Sequence, residues 1–335
     1  MAITGLLIGA LFFSWLSVYC IKTYAVKKLL DVPNQRSLHR IPTPRGGGLA
    51  IVIVFSVVGL ILLLQGRLGA THVSALASSL VIAAIGFWDD HRHIPAGQRF
   101  AVHMLAAACA LYFIQGFPPV TLGGLRIDFG VFGYVLGAVF LVWLLNLFNF
   151  MDGIDGIAVS EAVFVAGALS VFLFGVDAEL SLVAIALVVA SLGFLVWNWP
   201  PARIFMGDVG SGFLGFVLAV LVLAGAQKNP LFLSIGMILM AVFIVDASYT
   251  LLYRFFSGQK WYQAHCCHAY QHAAKQYGHL KVVLVVWTIN LFFLLPLAVL
   301  VFRYPSFNGV GLCAAYLPLW YLAVRFRAGR VQADV

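Results

Sequence analysis

Charge is scarce in this sequence, and negative charge scarcest of all: Asp and Glu supply 12 of 335 residues, Lys and Arg 20. No stretch is polar enough to form a separate soluble domain. No Pro/Ser-rich linker, low-complexity tract or repeat of fixed period divides the chain. Cysteine is also sparse. The five (Cys20, Cys109, Cys266, Cys267 and Cys313) lie mostly in apolar runs and two are neighbours, so no disulfide framework is implied. The first apolar run, from about Ile3 to Cys20, lacks a basic n-region and a small-residue cleavage site, and is expected to be a retained span rather than a signal peptide. What is there is hydrophobic: 63% of residues, with a mean hydropathy of +1.01. That composition specifies an all-α polytopic membrane protein, a single transmembrane domain over residues 1–335.

Runs long enough to cross a bilayer fall near 3–24, 47–65, 72–88, 100–115, 132–150, 157–174, 179–197, 211–226, 231–253, 282–301 and 309–324, about eleven in all. Several are short, and tilt or local thinning accommodates them. With this layout 16 of the 20 Lys and Arg fall on one side, and only Arg67, Arg126, Lys228 and Arg303 on the other. The basic side is therefore expected to be cytoplasmic, which puts the N-terminus in the periplasm and the C-terminus inside.

The few acids are not scattered. Asp89 and Asp90 end the apolar run VIAAIGFWDD, Asp152 and Asp155 follow another in NLFNFMDGIDGIA, and Asp208 stands in IFMGDVGSG before a third. All five fall at helix-end junctions on the basic side, although the basic residues were counted without regard to the acids. Acids avoid hydrocarbon and usually mark a working site in a membrane protein. Carboxylates gathered at one water interface suit a divalent cation and a phosphorylated substrate. Asp152 and Asp155 are three apart and would share a helical face, which Asn146 and Asn149 extend upstream. The plain alternative for that stretch is a capped helix start. Asp208 alone reads as an N-cap, a role that still leaves one carboxylate oxygen for a metal. Phe205 precedes it in a tight loop, where an aromatic often only anchors the chain at the headgroups.

Two further segments carry polar groups. DVPNQRSLHRIPTPRGGGLA combines Arg36, Arg40 and Arg45 with a Gly-rich turn, which suits close approach to phosphate and equally suits anionic lipid. The loop after the ninth span holds His265, Cys266, Cys267, His268, His272 and His279. HCCH is too compressed for four tetrahedral zinc ligands, so histidines that bind phosphate or donate hydrogen bonds are the better reading. Asp246 and, more weakly, Glu161 lie inside spans and should face the bundle or a wet cavity.

The ordered set PTPRGGGLAI, GFWDD, NLFNFMDGIDGIA, NWPPARIFMGDVGSGFLG and the histidine loop resembles the polyprenyl-phosphate N-acetylhexosamine-1-phosphate transferases, glycosyltransferase family 4. The motifs run in family order from Pro42 to about His272, and DVPNQRSLHRIPTPRGG and HAYQH look most like the initiators of O-antigen and lipopolysaccharide synthesis. The resemblance implies a multi-pass enzyme of the bacterial inner membrane. It moves a sugar 1-phosphate from a UDP-N-acetylhexosamine to undecaprenyl phosphate, with release of UMP, at an active site on the cytoplasmic side. It also implies magnesium, with manganese as a substitute. Carried over by motif position, Asp208 becomes the principal metal ligand with Asp152 beside it. Asp89 and Asp90 lie by the metal and lipid phosphate, with Asp89 the candidate base. Asn149 helps hold the diphosphate, and Asp155, Asn198 and Phe205 border the nucleoside. Arg45 and Arg99 serve phosphate, Arg99 standing nearest to where relatives often have a lysine. His268 keeps the first position of an HxHH pattern whose later positions differ here. No nucleic-acid partner is expected, and a homodimer is compatible with the sequence.

The reaction makes physical sense without the family name. Two phosphates must meet, one on lipid and one on a nucleotide, so a metal and basic groups must neutralise them. The competing class is a secondary transporter, which places ionisable groups near the midplane of broken helices in repeated halves. Here the acids sit at helix ends and no halves are visible, although Asp246 leans the other way.

Overall fold

The structure is a computed structural model and describes residues 3–33, 38–39, 41–122, 125–260, 262–263 and 265–330. Arg36 and Arg40 lie outside the described residues. A chain in hydrocarbon must satisfy every backbone polar group internally, and helices do this within one segment. The described residues follow that rule. They form α1 (Ile3–Lys28), α2 (Gly48–Leu64), α3 (Ala70–His91), α4 (Ala96–Ile114), α5 (Phe132–Met151), α6 (Ile157–Leu173) and α7 (Ala178–Asn198). Then come α8 (Asp208–Lys228), α9 (Leu231–Leu239), α10 (Ala241–Phe256), α11 (Ala269–Tyr277), α12 (His279–Ile289), α13 (Leu295–Arg303) and α14 (Asn308–Arg325). Sheet is limited to two antiparallel ribbons, β1 (Leu30–Asp31) with β2 (Thr43–Pro44) and β3 (Val120–Leu122) with β4 (Leu125–Ile127).

Among the described residues, eight helices are long and apolar enough to span a bilayer, or nine if α9 and α10 count as one bent span. The shorter apolar helices α2 and α6 accompany them. Every expected apolar run therefore lands on helix, but two are not regular α-helix throughout. The run at 231–253, expected as one span, is two helices meeting at 74°. Asp246, Thr250 and Arg254 lie at i, i+4 and i+8 on α10, so they form one polar stripe, and all three are buried. The bend gives that stripe a protein face instead of lipid. The run at 282–301 is continuous but passes through a π-helical turn, Asn290–Leu294, between α12 and α13. There Asn290 donates to the buried Glu161 of α6 at 2.6 Å. Glu161 thus faces the bundle, as an intramembrane acid should.

α8 is the axis of the bundle. Every residue from Val209 to Ala226 is buried in it, whereas α1 buries only Leu6, Ala10, Ser14, Val18 and Ala25. α1 is nevertheless apolar enough to span a bilayer, so its exposed Ile8, Phe12 and Leu16 are lipid-facing rather than unpartnered. Packing on α8 brings its first turn against the ends of α2 and α3. Gly86 in α3 makes this approach close: a Cβ there would meet the carbonyl group of Asp208. Gly48 and Gly210 likewise lie backbone to backbone, joining the starts of α2 and α8. Small residues at such crossings are what membrane helix packing uses.

Candidate active site

The close approach at Gly86 places the Asp89–Asp90 pair at the mouth of α8. Asp90 is turned inward and buried. Its two carboxylate oxygens accept from the backbone amides of Asp208 and Val209, each at 3.1 Å. These are first-turn amides of α8, which no helical carbonyl can satisfy, and the helix dipole favours an anion there. Asp90 therefore caps α8 from another helix. Asp208 is then not the N-cap that the sequence suggested; Gly207 holds that position, with φ of 78°. The Asp208 carboxylate is freed to point away from its own helix. It accepts from Asn149 Nδ2 at 2.9 Å, and Asn149 also donates to Ser211 Oγ at 3.1 Å.

Arg99, one turn into α4, joins the acids across the gap. One guanidinium nitrogen donates to Asp89 at 2.6 Å and to Asp208 at 3.2 Å. The other Asp89 oxygen accepts from the backbone amide of Ile94, 2.6 Å away. Arg45 follows β2, pinned by its amide to the carbonyl of Leu29 at 2.9 Å. Its guanidinium donates to the Asp90 carbonyl at 2.5 Å and lies 3.9 Å from the Asp90 carboxylate.

α5 ends at Met151, so Asp152 and Asp155 do not share a helical face as their spacing suggested. The 152–156 turn separates them. Asp152 lies in the field of Asp208 and Asp90. It is half-buried. Burial first, then repulsion from Asp208, Asp90 and Asp155, pushes its pKa well above the ordinary carboxylate value. Asp155 points the other way. It accepts from the amide of Ala202 at 3.1 Å and contacts His279 Nδ1 at 3.2 Å.

Asn198 is buried and used at both ends. Its carbonyl oxygen accepts from the Gly156 amide at 3.0 Å and its amide donates to the Ile204 carbonyl at 2.9 Å. It fastens the 152–156 turn to the 203–207 loop rather than presenting a free group to a ligand. Phe205 in that loop is half-buried, with its ring edge-on to His39 at 4.9 Å. Its backbone bonds to Pro44 and Gly47, so the Gly-rich segment and the loop before Asp208 form one surface.

His268 lies apart from the acids. It is buried, 3.3 Å from Asp246, and its ring stacks between His265 and Phe150. Sequence reading missed its neighbour Tyr270, whose hydroxyl donates to the Phe150 carbonyl at 2.9 Å, and it left Asp246 without a role. The signal was present in the polar stripe of α10, which a hydropathy window averages away.

Asp89, Asp90, Asp152, Asp208, Asn149, Arg45 and Arg99 thus converge, drawn from α3, the end of α5, the start of α8, the start of α4 and the turn after β2. Among the described residues no group of three or more His, Cys, Asp or Glu side chains is arranged to hold a metal ion by itself. The donors nonetheless fit magnesium, which takes one or two carboxylates and completes its shell with water and substrate phosphate. Asp208 and Asp152 are the residues that would hold it, with Asp208 exchanging the Arg99 contact at 3.2 Å for the ion. The mutual repulsion at Asp152 is the strain that a cation there would relieve.

The profile of glycosyl transferase family 4 matches residues 72–226, which contain every acid of this cluster. A probable undecaprenyl-phosphate N-acetylglucosaminyl 1-phosphate transferase of Bacillus subtilis (strain 168) is 30% identical over 289 residues, 84% of this chain and 80% of that protein. Phospho-N-acetylmuramoyl-pentapeptide-transferases of Kosmotoga olearia and of Streptococcus thermophilus (strain CNRZ 1066) are each 34% identical. The first aligns over 53% of this chain and 58% of its own length, the second over 60% and 65%. With its membrane-spanning helices and the acids at their ends, the chain belongs to glycosyl transferase family 4, the polyprenyl-phosphate N-acetylhexosamine-1-phosphate transferases of bacterial membranes.

Proposed function

We propose that the chain transfers N-acetylhexosamine 1-phosphate from a UDP-sugar to undecaprenyl phosphate at the cytoplasmic face of the inner membrane, as the first step of O-antigen or related envelope polysaccharide synthesis. The observation that carries this reading is the meeting of Asp89 and Asp208, from two different helix ends, on Arg99, with Asn149 at the end of a third helix bonded to Asp208. An acceptor phosphate with its tail in lipid sits at the plane of these helix ends. The name of the Bacillus subtilis relative supports the same acceptor, undecaprenyl phosphate, and an N-acetylhexosamine 1-phosphate as the transferred group.

Chemically, an oxygen of the lipid phosphate attacks the sugar-bearing phosphorus of the donor. The bond from that phosphorus to the bridging oxygen breaks, and UMP leaves with the bridging oxygen. A phosphomonoester has its second pKa at about 6, so near neutrality the acceptor is already mostly a dianion and asks little of a base. Asp89 then serves chiefly to hold Arg99, whose guanidinium is placed to meet phosphate charge beside Asp208. Bound magnesium would neutralise charge on the diphosphate and steady the leaving oxygen. The protein supplies alignment, the larger part of phosphoryl transfer catalysis. Phe205 borders the donor and stacks on uracil.

The tail would lie in an apolar cavity of about 340 Å³ between α10, α12 and α14, lined by Val242, Val245, Val282, Val286, Leu319 and Leu322. Its polar corner is Tyr270, which bonds to the 149–152 segment through Phe150. The bent α9–α10 pair is the one feature that favours a transporter, but Asp246 on it is fully engaged by protein amides. Purified protein is assayed for UMP release from a panel of UDP-N-acetylhexosamines with undecaprenyl phosphate and magnesium. Turnover with one donor, dependent on the lipid, is expected. Silence toward every donor, together with solute uptake into proteoliposomes, would replace this reading with the transporter. A reporter fused after Arg330 is expected to read cytoplasmic.

A further inference from the structure

We propose that Asp246 is a positioning residue of the transfer site: it sets the start of α11 and, through Tyr270, the acid-bearing segment 149–152. This inference rests on the proposed reaction for its kinetic arm and on geometry alone for its second arm. Asp246 is buried on α10, far along the chain from the acids. Its Oδ1 accepts from the Ala269 amide at 2.9 Å and its Oδ2 from the Tyr270 amide at 2.8 Å. Oδ1 also takes Thr250 Oγ1 at 3.2 Å and contacts His268 Nδ1 at 3.3 Å. A carboxylate across the first amides of a helix fixes both the position and the direction of that helix. The fit needs an acceptor at both oxygens, which an amide cannot provide.

α11 carries that placement to the acids. His268 and Gln271 form a capping box that makes its first turn rigid, with Gln271 accepting from the His268 amide at 3.1 Å. The Tyr270 hydroxyl then donates to the carbonyl of Phe150, between Asn149 and Met151. The contact is tight, because a Cβ at Gly153 would meet the Tyr270 hydroxyl and the Gln271 side-chain nitrogen. Asn149 holds Asp208, and Asp152 lies in the field of both Asp208 and Asp90, so a displaced 149–152 segment disturbs the acceptors on both sides. Asp246 also lines the apolar cavity, which gives a plain alternative: it merely shapes that wall and anchors α11.

Asp246→Asn and Tyr270→Phe, alone and combined, are compared in the purified full-length protein with UDP-N-acetylglucosamine and undecaprenyl phosphate. Each single change is expected to lower kcat about tenfold, the scale of a small misplacement of reacting groups. The KM for undecaprenyl phosphate should stay within about twofold, because both substitutions keep the shape of the cavity wall and the tail contacts its apolar side chains. The double variant should be no slower than the slower single, since the two residues act in series. Amide hydrogen exchange of a peptide covering 149–156 should rise in all three variants, while the β3–β4 ribbon is unchanged. Multiplicative losses, a changed lipid KM with normal kcat, or exchange at 149–156 equal to wild type would overturn the proposal. A wild type inactive on every UDP-N-acetylhexosamine of the panel would refute the donor reading, and the exchange comparison would still decide the coupling. Should Asp246→Asn fail to fold, Tyr270→Phe, which removes one hydroxyl, decides by the same two readouts.

Discussion

The molecule carries two groups of acids, one at each end of the α8 axis, and they are built differently. At the end opposite the proposed site, Asp177 caps α7 through the Leu180 amide at 3.0 Å and lies 3.5 Å from Lys228. Glu179 accepts from the Gly69 amide at 2.7 Å and meets His72 at 2.9 Å, while His72 also faces Asp177 at 3.7 Å. Each carboxylate there has an amide and a basic partner. At the other end Asp89 and Asp90 are partnered in the same way, by amides with Arg99 and Arg45, but Asp208 has only a share of the guanidinium nitrogen that Asp89 holds, and Asp152 feels three like charges. A balanced set of charges ties helices together; an unbalanced one is strained without a ligand. Position at a helix end is common to both clusters, so incomplete compensation, rather than position, sets Asp208 and Asp152 apart from the structural acids, while Asp89 and Asp90 are as well partnered as Asp177 and Glu179.

That contrast is open to test. The largest effect is expected at Asp208: Asp208→Asn should lower turnover about 10³-fold or more, the equivalent of several kcal/mol of lost charge stabilisation, in a protein that still folds and inserts. Near-normal activity at saturating magnesium would remove Asp208 from the site. Next come Asp152→Asn and Asp89→Asn, each expected to cost about 10²-fold in kcat because each removes one element of a preorganised charge site. If either retains most of its turnover in detergent, that residue belongs with the structural acids. Phe205→Ala should raise the donor KM about tenfold, since base stacking is worth roughly 1–3 kcal/mol, and leave the KM for undecaprenyl phosphate in place. Equal changes in both KM values would reduce Phe205 to an anchor of its loop. The smallest effect belongs to the opposite end. Asp177→Asn should lower Tm by about 2 °C through a weakened cap and ion pair, with kcat unchanged. A large kcat loss there would erase the distinction between the clusters.

The acid junctions were legible in the sequence because a chain with so few acids cannot hide where they lie. The spans were legible because hydrocarbon demands long apolar helices. The meeting of the junctions was not, since it depends on Gly86 letting α3 reach the backbone of Asp208, a contact between residues 122 positions apart. The bend before α10 escaped for a related reason: a hydropathy window sums composition and carries no axis direction. Asp90 and Asn198 looked like ligand-facing groups because residue type alone cannot say which way a side chain turns. In the fold their partners are backbone amides from segments distant in sequence and, for Asn198, the nearby Ile204 carbonyl. Asp152 and Asp155 looked paired because i, i+3 spacing was read on a helix that in fact ends at Met151.

Manganese titration of the purified protein, followed by electron paramagnetic resonance, tests the unbalanced cluster most directly, because it needs neither substrate nor turnover. Wild type and Asp177→Asn are expected to bind one ion with equal affinity, and Asp208→Asn to lose it. An ion bound equally well by Asp208→Asn, or lost with Asp177→Asn, would contradict the account.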